Sequence, residues 1–539
     1  MKSWKTTALL LCIVSIAFVI RAYHVSTNPP SISWDEASIG YNAYSILKTG
    51  KDEHGKFLPI DTFAAFGDYK PPVPIYLTVP FVALFGMTEL AVRSPSVVAG
   101  ALSIWMVYLL VCELFSASKQ KRLLAFVTAG LLAISPWHIM LSRAGFEANI
   151  ALLWILLGAW LIRKAASNPT LLYICWIPFV AGIYTFNSAR YAGPLIALGV
   201  AVSVYRRLFA HKRQLFVGIV ISCLLLLPIV PHLLSKESRL RFAEVSIFTD
   251  LRTVLTANSR SATDGSGKLS LVTHNRRIGY AREYLIHFFD HFEPRFLFVH
   301  GDGNPKFSIR DTGQLLIIGA PFLIYGLFAI FAEFPTVGWL LVWWLIVSVA
   351  PAAVARETPH ALRVENALPV WLIFTSFGIV SWIRNQVAKN SKLYLFIGIC
   401  VLFMLNFFYF WHTLMAHYPK EYSGEWQYGY KNAILLAQKL EKEYDTIVLT
   451  ESIGRPYIYA LFYGNIDPVQ FWKTKDASFD AAGFYNVYGF NSYRFTRKGV
   501  AEYEGKVLYI LAPKDVPANA NIVETIRLLN GDPVLVAFD

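Results

Sequence analysis

"GDYKPPVPIYLTVPFVALFGMTELAVRSPS", residues 67–96, passes from a polar segment through a proline-rich apolar piece to the start of a long apolar run. That run, 93–115, is long enough to cross a hydrocarbon core about 30 Å thick. Lys70 precedes two prolines, which stiffen the backbone beside its charge. The stretch therefore predicts a cation held at a membrane surface, where it could also be an ordinary snorkelling lysine.

The whole chain has the composition of a membrane protein. Of its 539 residues, 55% are hydrophobic and only 16% are charged, which lies outside the range of soluble domains. The net charge of +13 could indicate a nucleic-acid partner, but the bases fall in short clusters between apolar runs. These clusters are typical of topology signals, and we expect no nucleic-acid partner.

Apolar runs of spanning length recur along the chain and predict a multi-pass α-helical membrane protein with about eleven transmembrane helices. A shorter piece, 73–85, contains Pro74 and Pro80 and predicts a segment beside the membrane. The eleven runs are 6–23, 93–115, 123–141, 147–162, 170–187, 190–205, 214–232, 313–332, 337–354, 366–383 and 393–411.

The basic clusters predict the orientation. Pairs such as Arg163 and Lys164, or Arg206 and Arg207, place their connections inside the cell and the N-terminus in the cytoplasm. We expect a plasma-membrane protein with a transmembrane domain, 1–412, and an external soluble α/β domain, 413–539. The other segments then outside are the first external loop 24–92, the long external loop 233–312 and the short stretch 355–365.

The C-terminal domain has mixed patterns. It lacks a glycine-rich phosphate motif after a strand, and we expect a packing or acceptor-orienting module. All five cysteines lie in apolar runs, so no disulfide framework and no Cys/His metal spacing is expected. The predicted strands are 446–450, 507–512 and 533–538, and the predicted helices are 430–443, 456–463 and 520–529.

The first external loop contains adjacent carboxylates. "DEASIGYNAYSILKTG", residues 35–50, predicts a short amphipathic helix that ends at Gly50. Asp35 lies at the start of this helix, where a carboxylate can cap free N–H groups. Position alone therefore leaves capping and catalysis equally open for Asp35.

Several short motifs together resemble the polyprenyl-phosphate-sugar transferases of the GT-C fold. This group includes protein O-mannosyltransferases and the bacterial aminoarabinose transferases that modify lipid A. The resemblance covers roughly residues 10–200. The motifs are Trp34-Asp35-Glu36-Ala37, Gly40-Tyr41-x-Ala43, Tyr69-Lys70-Pro71-Pro72, Leu84-Phe85-Gly86 and Ala91-Val92-Arg93-x-Pro95.

The resemblance implies an inverting glycosyltransferase with its catalytic machinery in the transmembrane domain. It would move one sugar, mannose or another hexose or pentose, from a polyprenyl-phosphate donor to a hydroxyl group of a protein, lipid or cell-surface polymer. By resemblance Asp35 is the base and Glu36 has a supporting role, orienting the helix or binding hydroxyl groups. No cofactor and no metal is expected, since the similar mannosyltransferases do not depend on a metal.

The resemblance also implies phosphate-binding residues. Lys70 matches the family lysine that contacts the lipid phosphate. In the aminoarabinose transferases an acidic residue directly precedes this lysine, whereas here Tyr69 does and Asp68 lies one place further back. We therefore include Asp68 among the candidate substrate-binding residues and leave the donor sugar open.

Three further cations are candidates for donor binding. His360 and Arg363, in "ARETPHALRVENALP", would share a face if their segment is helical, although they could also merely mark the membrane interface. Arg143 lies in a very short outside turn, where charges often face a cavity. Glu147, one helical turn away, could instead simply neutralise Arg143, and Arg93 is expected to be an interfacial anchor.

Three alternatives stay open. His287, Asp290 and His291 have a spacing that could hold a metal ion, but an interfacial amphipathic helix is the commoner explanation. A non-catalytic flippase or transporter of lipid-linked sugars would carry ionisable residues within its spans, where this chain has almost none. An oligosaccharide ligase or polymerase would share the lipid-linked donor.

Overall fold

The computed structural model describes residues 3–385, 389–480, 485–497, 499–500 and 502–539. The protein is mostly helical and has a β-sheet in its C-terminal part. Its packing divides the chain into two compact units, and unit 2 combines the whole first external loop with the tail. The predicted division after residue 412 stays a prediction. Unit 1 comprises Met1–Ile13, Ser103–His138 and Ala151–Phe407, and unit 2 comprises Val14–Leu102, Ile139–Ile150 and Phe408–Asp539.

The multi-pass helical architecture is confirmed. An eighth candidate span is bent by 54° between Lys121–Ala133 and Pro136–Arg143, because a proline lacks the N–H that would continue the first helix. Three more predicted runs form the shorter helical segments Pro169–Ile183, Ala189–Val202 and Ile317–Glu333, so the count of eleven stays a prediction. Within the described part of the chain, seven helices are long and apolar enough to span, namely Trp4–Ala22, Glu89–Leu114, Glu147–Ala165, Lys212–Leu233, Pro335–Val354, Glu365–Arg384 and Lys392–Glu421.

Glycines allow two helices of unit 1, Ala320–Glu333 and Leu368–Arg384, to pack closely. A Cβ atom at Gly326 would lie 1.9 Å from the carbonyl oxygen of Phe374, and one at Gly378 equally close to that of Phe322. Small residues are how membrane helices approach one another. Smaller helices of this unit are Tyr205–Phe209, Lys236–Val245, Leu251–Thr263, Lys268–Thr273 and Arg276–Asp290.

The predicted helix of the first external loop is confirmed as Trp34–Thr49, ending at Gly50 with a φ of +70°. A capping box begins it. Ser33 Oγ accepts a hydrogen bond from the backbone N–H of Glu36, and Glu36 Oε2 accepts one from the backbone N–H of Ser33. Ser33, two residues before Asp35, is therefore the N-cap residue of this helix.

A hairpin positions Lys70. Strands β1 (Phe63–Ala65) and β2 (Asp68–Lys70) pair antiparallel, with Lys70 opposite Phe63. Helix Pro72–Phe85 follows at once, since a proline fits the first helical turn, where its missing N–H costs nothing. The predicted segment 73–85 is thus a single apolar helix.

The C-terminal sheet has seven strands among the described residues, in the order β4-β5-β6-β3-β7-β9-β8. The predicted helix 520–529 is wrong, because residues Ile522–Arg527 form a strand that pairs antiparallel with its neighbour. Four of the six residues of IVETIR are β-branched, which suits a strand. The strands are β3 (Thr446–Thr450), β4 (Asp476–Phe479), β5 (Tyr485–Phe490), β6 (Tyr493–Thr496), β7 (Val507–Leu511), β8 (Ile522–Arg527) and β9 (Pro533–Phe538).

One helix of the tail covers the first-loop helix within unit 2. All eight residues of Pro456–Tyr463 are buried. A Cβ atom at Gly40 would lie only 2.4 Å from the Phe462 ring. The first-loop helix is thereby fixed between its own loop and the tail. The other helices of the tail are Tyr418–Glu421, Tyr430–Leu440 and Pro468–Thr474.

Candidate active site

Asp35, Lys70 and Glu147 form a charged cluster in unit 2. Lys70 Nζ lies 2.8 Å from Asp35 Oδ1 and 3.6 Å from Glu147 Oε1. The side chains of Lys70 and Glu147 are 12% and 9% exposed, whereas that of Asp35 is 39% exposed. Asp35 is therefore the member of the cluster that a substrate can reach most easily.

Its neighbours keep Lys70 charged. Burial would lower the pKa of Lys70, but the negative charges of Asp35, Glu147 and Asp68 outweigh this effect and raise it. Asp68 lies two residues before Lys70, and its Oδ1 accepts a hydrogen bond from the backbone N–H of Tyr69. A protonated lysine beside an accessible carboxylate can hold a phosphate while the carboxylate takes up a proton.

Glu36 is buried and forms an ion pair with Arg93. Arg93 Nε donates a hydrogen bond to Glu36 Oε1 at 2.9 Å, and the backbone N–H of Gly145 donates to the same oxygen at 3.0 Å. Glu36 is 1% exposed and Arg93 is fully buried, so Arg93 is no interfacial anchor. These contacts favour a helix-orienting role for Glu36. Arg93 also donates to the carbonyl groups of Val25, Pro29 and Ser31.

Arg143 lies in unit 2 and is also buried, with 1% exposure. Its guanidinium group lies over the Trp411 ring, 5.8 Å from the ring centroid. Glu147 pairs with Lys70 and does not neutralise Arg143. The hydrogen bonds of Arg143 favour a structural role, in which its side chain fixes an earlier segment of the chain, residues 20–28. It donates hydrogen bonds to the carbonyl oxygens of Ile20, Arg21, Tyr23 and Asn28.

Two residues of this region were missed or misjudged from the sequence. Glu147 was treated only as a partner for Arg143, and Arg93 was kept off the list of candidate residues. Each is a charged residue within the first five positions of an apolar helix, where a charge is costly unless it is paired. The energetic cost of an unpaired charge in such a helix is the signal that could have indicated a buried ion pair for Arg93 and for Glu147.

His360 and Arg363 belong to unit 1. Their segment forms turns rather than an α-helix, so the condition for a shared helical face is not met. His360 is 8% exposed, and its backbone N–H donates to His291 Nε2 at 3.2 Å. Burial, together with the charge of Arg363, lowers the pKa of His360 well below its usual value. This histidine is therefore neutral near pH 7.

Asp302 was not identified from the sequence. It stabilises the segment that contains His360 and Arg363. Its Oδ2 accepts a hydrogen bond from the backbone N–H of Ala361 at 2.6 Å, and its Oδ1 accepts one from that of Asn304. The side chain is buried. Burial raises the pKa of Asp302 to about 6.

We expect Asp302 to make the protein more stable in mild acid. Because its folded-state pKa lies above the value of about 3.9 in unfolded chains, its stabilising contribution is complete below pH ~4 and lost as the pH rises through about 6. Thermal unfolding of the wild type and Asp302→Asn, followed at pH ~5 and ~7.5, checks this. The gain in acid should shrink in Asp302→Asn and persist in the control Asp311→Asn, an exposed residue nearby. Equal pH dependence of all three proteins would contradict it.

The histidine–aspartate triple of the long external loop binds other protein groups. His287 Nδ1 lies 2.8 Å from the carbonyl oxygen of Ala355, and His291 Nδ1 lies 2.8 Å from that of His287. Asp290 Oδ2 accepts a hydrogen bond from Thr358 Oγ1. Among the residues that the structure describes, no group of three His, Cys, Asp or Glu side chains is arranged to hold a metal ion.

Comparison with known proteins gives a family match in the region of this cluster. Residues 69–233 match the family model described as dolichyl-phosphate-mannose-protein mannosyltransferase. The matched range contains Lys70, Arg93, Arg143 and Glu147 and begins after Asp35.

Two curated relatives are proteins of Bacillus subtilis (strain 168) that carry mannosyltransferase names. YycA is 22% identical over 177 residues, which are 32% of this chain and 24% of YycA. YkcB is 28% identical over 114 residues, which are 21% of this chain and 15% of YkcB. The match thus spans a quarter or less of either relative's length.

Solved structures share the fold over nearly the whole chain. ArnT from Cupriavidus metallidurans in the apo state has a TM-score of 0.58 and 14% identity, covering 98% of both chains. The same protein bound to undecaprenyl phosphate has a TM-score of 0.52. The apo oligosaccharyltransferase of Archaeoglobus fulgidus also has 0.52, with 13% identity, covering 86% of this chain and 64% of that one. The chain therefore shares the GT-C fold of these structures, and the family match over residues 69–233 supports its resemblance to the GT-C glycosyltransferases.

Proposed function

We propose that the protein is an inverting glycosyltransferase that moves one sugar from a polyprenyl-phosphate donor to an acceptor hydroxyl group. The observation that carries this proposal is the ion pair of 2.8 Å between Lys70 and the accessible Asp35. A base and a phosphate-binding cation are what the reaction requires. The match to a dolichyl-phosphate-mannose family model and the undecaprenyl phosphate bound to ArnT support a lipid-linked donor.

The ion pair suggests an order of events. A donor phosphate would compete with Asp35 for Lys70, and Glu147, at 3.6 Å, would keep the lysine in position during the exchange. Asp35, freed from its partner, then accepts the proton of the acceptor hydroxyl. The hydroxyl oxygen bonds to the anomeric carbon from the face opposite the phosphate, and the bond to the phosphate oxygen breaks. Polyprenyl phosphate leaves with the bonding electrons, beside Lys70.

The remaining predicted residues have proposed roles of different kinds. Asp68 would help to set the charge of Lys70, and Glu36 would orient the helix that carries Asp35. His360 and Arg363 are proposed contacts to the donor phosphate or sugar ring. Arg143 is a proposed donor contact whose hydrogen bonds favour a positioning role. We propose the outer face of the plasma membrane as the site of reaction, with mannose as the first sugar to test.

The proposal is tested by a transfer assay. Full-length protein in lipid is incubated with a panel of radiolabelled polyprenyl-phosphate sugars and with membrane and cell-wall fractions as acceptors. Transfer from at least one donor, with inversion at the anomeric carbon, is expected. No transfer from any donor, combined with movement of labelled lipid across the bilayer, would favour the flippase alternative. Transfer only of preassembled oligosaccharides would favour a ligase.

Lys70→Met is expected to raise the KM for the lipid-phosphate donor about 10- to 100-fold, because a charge-assisted hydrogen bond to the phosphate is lost. The KM for the acceptor should change much less. Initial rates at varied donor and acceptor concentrations measure both constants.

The same loop offers a matched control for Lys70→Met. Lys56 pairs with Asp61 at 2.7 Å, but the two side chains are 52% and 27% exposed. Lys56→Met should leave both constants near the wild-type values. A Lys70→Met protein with an unchanged donor KM would remove Lys70 from the phosphate site.

A further inference from the structure

A polar cavity lies in unit 2, between the first-loop helix and the C-terminal sheet. Its volume is about 270 Å³, slightly below the range of about 300–1,000 Å³ that is common for drug-sized ligands. A cavity of this size suits a single small ring. Its lining includes Trp34, Tyr457 and Tyr485 together with the charged residues Glu451, Arg455 and Arg497.

This cavity adjoins the candidate base. Trp34, in its wall, directly precedes Asp35 in the first-loop helix. Arg455, also in the wall, lies over the Phe66 ring at 4.8 Å, and its Nη2 donates to the carbonyl oxygen of Phe66. Phe66 belongs to the turn between β1 and β2, which is the hairpin that carries Lys70. The helix that carries Asp35 thus supplies Trp34 to the cavity wall, and the hairpin that carries Lys70 contacts Arg455 of that wall through Phe66.

A tight turn of the tail shapes the opposite wall. Gly454 has a φ of +150°, and a Cβ atom there would lie 3.1 Å from Trp34 Cε3. Only glycine allows the loop between β3 and the following helix to approach the indole this closely. The loop brings Glu451 and Arg455 to the cavity, at positions on either side of the glycine.

The lining combines two kinds of group that suit a carbohydrate. Aromatic faces pack against the C–H faces of a sugar ring, and planar charged groups hydrogen-bond in pairs to neighbouring hydroxyl groups. Glu451 and Arg497 form an ion pair at 2.5 Å, with side chains 22% and 74% exposed. Each group therefore orients the other while part of it stays accessible. Because one glutamate offsets part of the charge of the two arginines, the lining is not strongly cationic. A cavity that binds anions would need a strongly cationic lining.

We propose that this cavity is the acceptor subsite and that it binds a sugar ring of a saccharide acceptor, presenting a free hydroxyl group to Asp35. The inference rests on the proposed transferase function, since it names the acceptor class for that reaction. Lys70 would then hold the donor phosphate beside Asp35, and the cavity would hold the acceptor ring beside it. The C-terminal domain would select the acceptor instead of only packing against the membrane domain.

Binding of simple glycosides tests the proposal without turnover. Saturation-transfer NMR on the full-length protein in nanodiscs measures the affinity for methyl α-mannoside and for methyl N-acetyl-β-glucosaminide. A polyol phosphate, glycerol 3-phosphate, and a short Ser/Thr-containing peptide serve as competing acceptor classes. We expect binding of at least one glycoside and weaker or no binding of the other two probes.

Cavity variants and matched controls sharpen the test. Arg497→Gln and Glu451→Gln should weaken glycoside binding about tenfold, because each removes a charged hydrogen-bonding group. Arg527→Gln and Glu524→Gln, at exposed positions of β8, should bind like the wild type. Glycoside binding that is absent from the wild type, or unchanged in both cavity variants, would overturn the proposal, as would preferred binding of the peptide.

The two proposals can fail separately. A protein that binds glycosides through the cavity but transfers no sugar from any donor would overturn the transferase function alone. A protein that transfers sugar, with an acceptor KM unchanged in Arg497→Gln, would overturn the acceptor subsite alone.

Discussion

Asp35→Asn is expected to lower the rate of sugar transfer about 10²- to 10⁴-fold, the usual contribution of a general base. Asparagine has nearly the shape of aspartate but cannot accept the proton of the acceptor hydroxyl. Because Lys70 keeps Glu147 at 3.6 Å, the lysine stays oriented and donor binding should change little. Single-turnover transfer and equilibrium binding of a radiolabelled donor measure the two quantities separately.

Asp61→Asn is the matched control for Asp35→Asn. It makes the same substitution in the same loop, and Asp61 is also paired with a lysine, Lys56, at 2.7 Å. Its transfer rate should equal that of the wild type. If Asp35→Asn transfers sugar at the wild-type rate, Asp35 is not the base. If it loses donor binding instead of rate, its main task is to position Lys70.

Glu36→Gln is expected to destabilise the protein by about 3–5 kcal/mol, because it leaves Arg93 as an uncompensated buried charge. Arg93 is fully buried, so neither solvent nor salt can screen the charge. The single oxygen of glutamine can still accept hydrogen bonds from Arg93 and from the backbone of Gly145, but its amide nitrogen cannot accept the one from the backbone N–H of Ser33, so the loss combines the charge with that capping hydrogen bond. Unfolding monitored in lipid or mild detergent, with and without denaturant, measures the difference.

An exposed ion pair gives the control for Glu36→Gln. Glu113 pairs with Lys164 at 3.1 Å, with side chains 26% and 43% exposed. Glu113→Gln should cost only about 0–1 kcal/mol. The double variant Glu36→Leu with Arg93→Met should recover part of the stability lost in Glu36→Gln, since both charges are then absent. A Glu36→Gln protein of wild-type stability that transfers no sugar would instead place Glu36 among the substrate contacts.

Local sequence patterns predicted most of the helical architecture correctly. The apolar runs match helices because a span depends on length and apolarity along a continuous segment. The helix ending at Gly50 was also correct, since a glycine with positive φ ends a helix through its own backbone freedom. The predicted helix 520–529 was wrong because neighbouring strands, distant in sequence, decide that segment.

The candidate site was predicted only in part. The resemblance identified Asp35 and Lys70, and the structure brings these two together at 2.8 Å. It could not indicate that Glu147 completes the cluster or that Arg93 neutralises Glu36, because both contacts join segments more than fifty residues apart. Periodicity and motif spacing contain no information about such pairs.

The sequence by itself determined that this chain is a multi-pass membrane protein and that it resembles the GT-C transferases, because composition and short motifs are local properties. Only the tertiary structure decided the different surroundings of the two adjacent carboxylates. Asp35 stays accessible beside Lys70, while Glu36 is buried against Arg93. The physical reason is that burial and pairing depend on which distant segments fold over a residue, and these set whether a carboxylate can meet a substrate or must stabilise a buried cation.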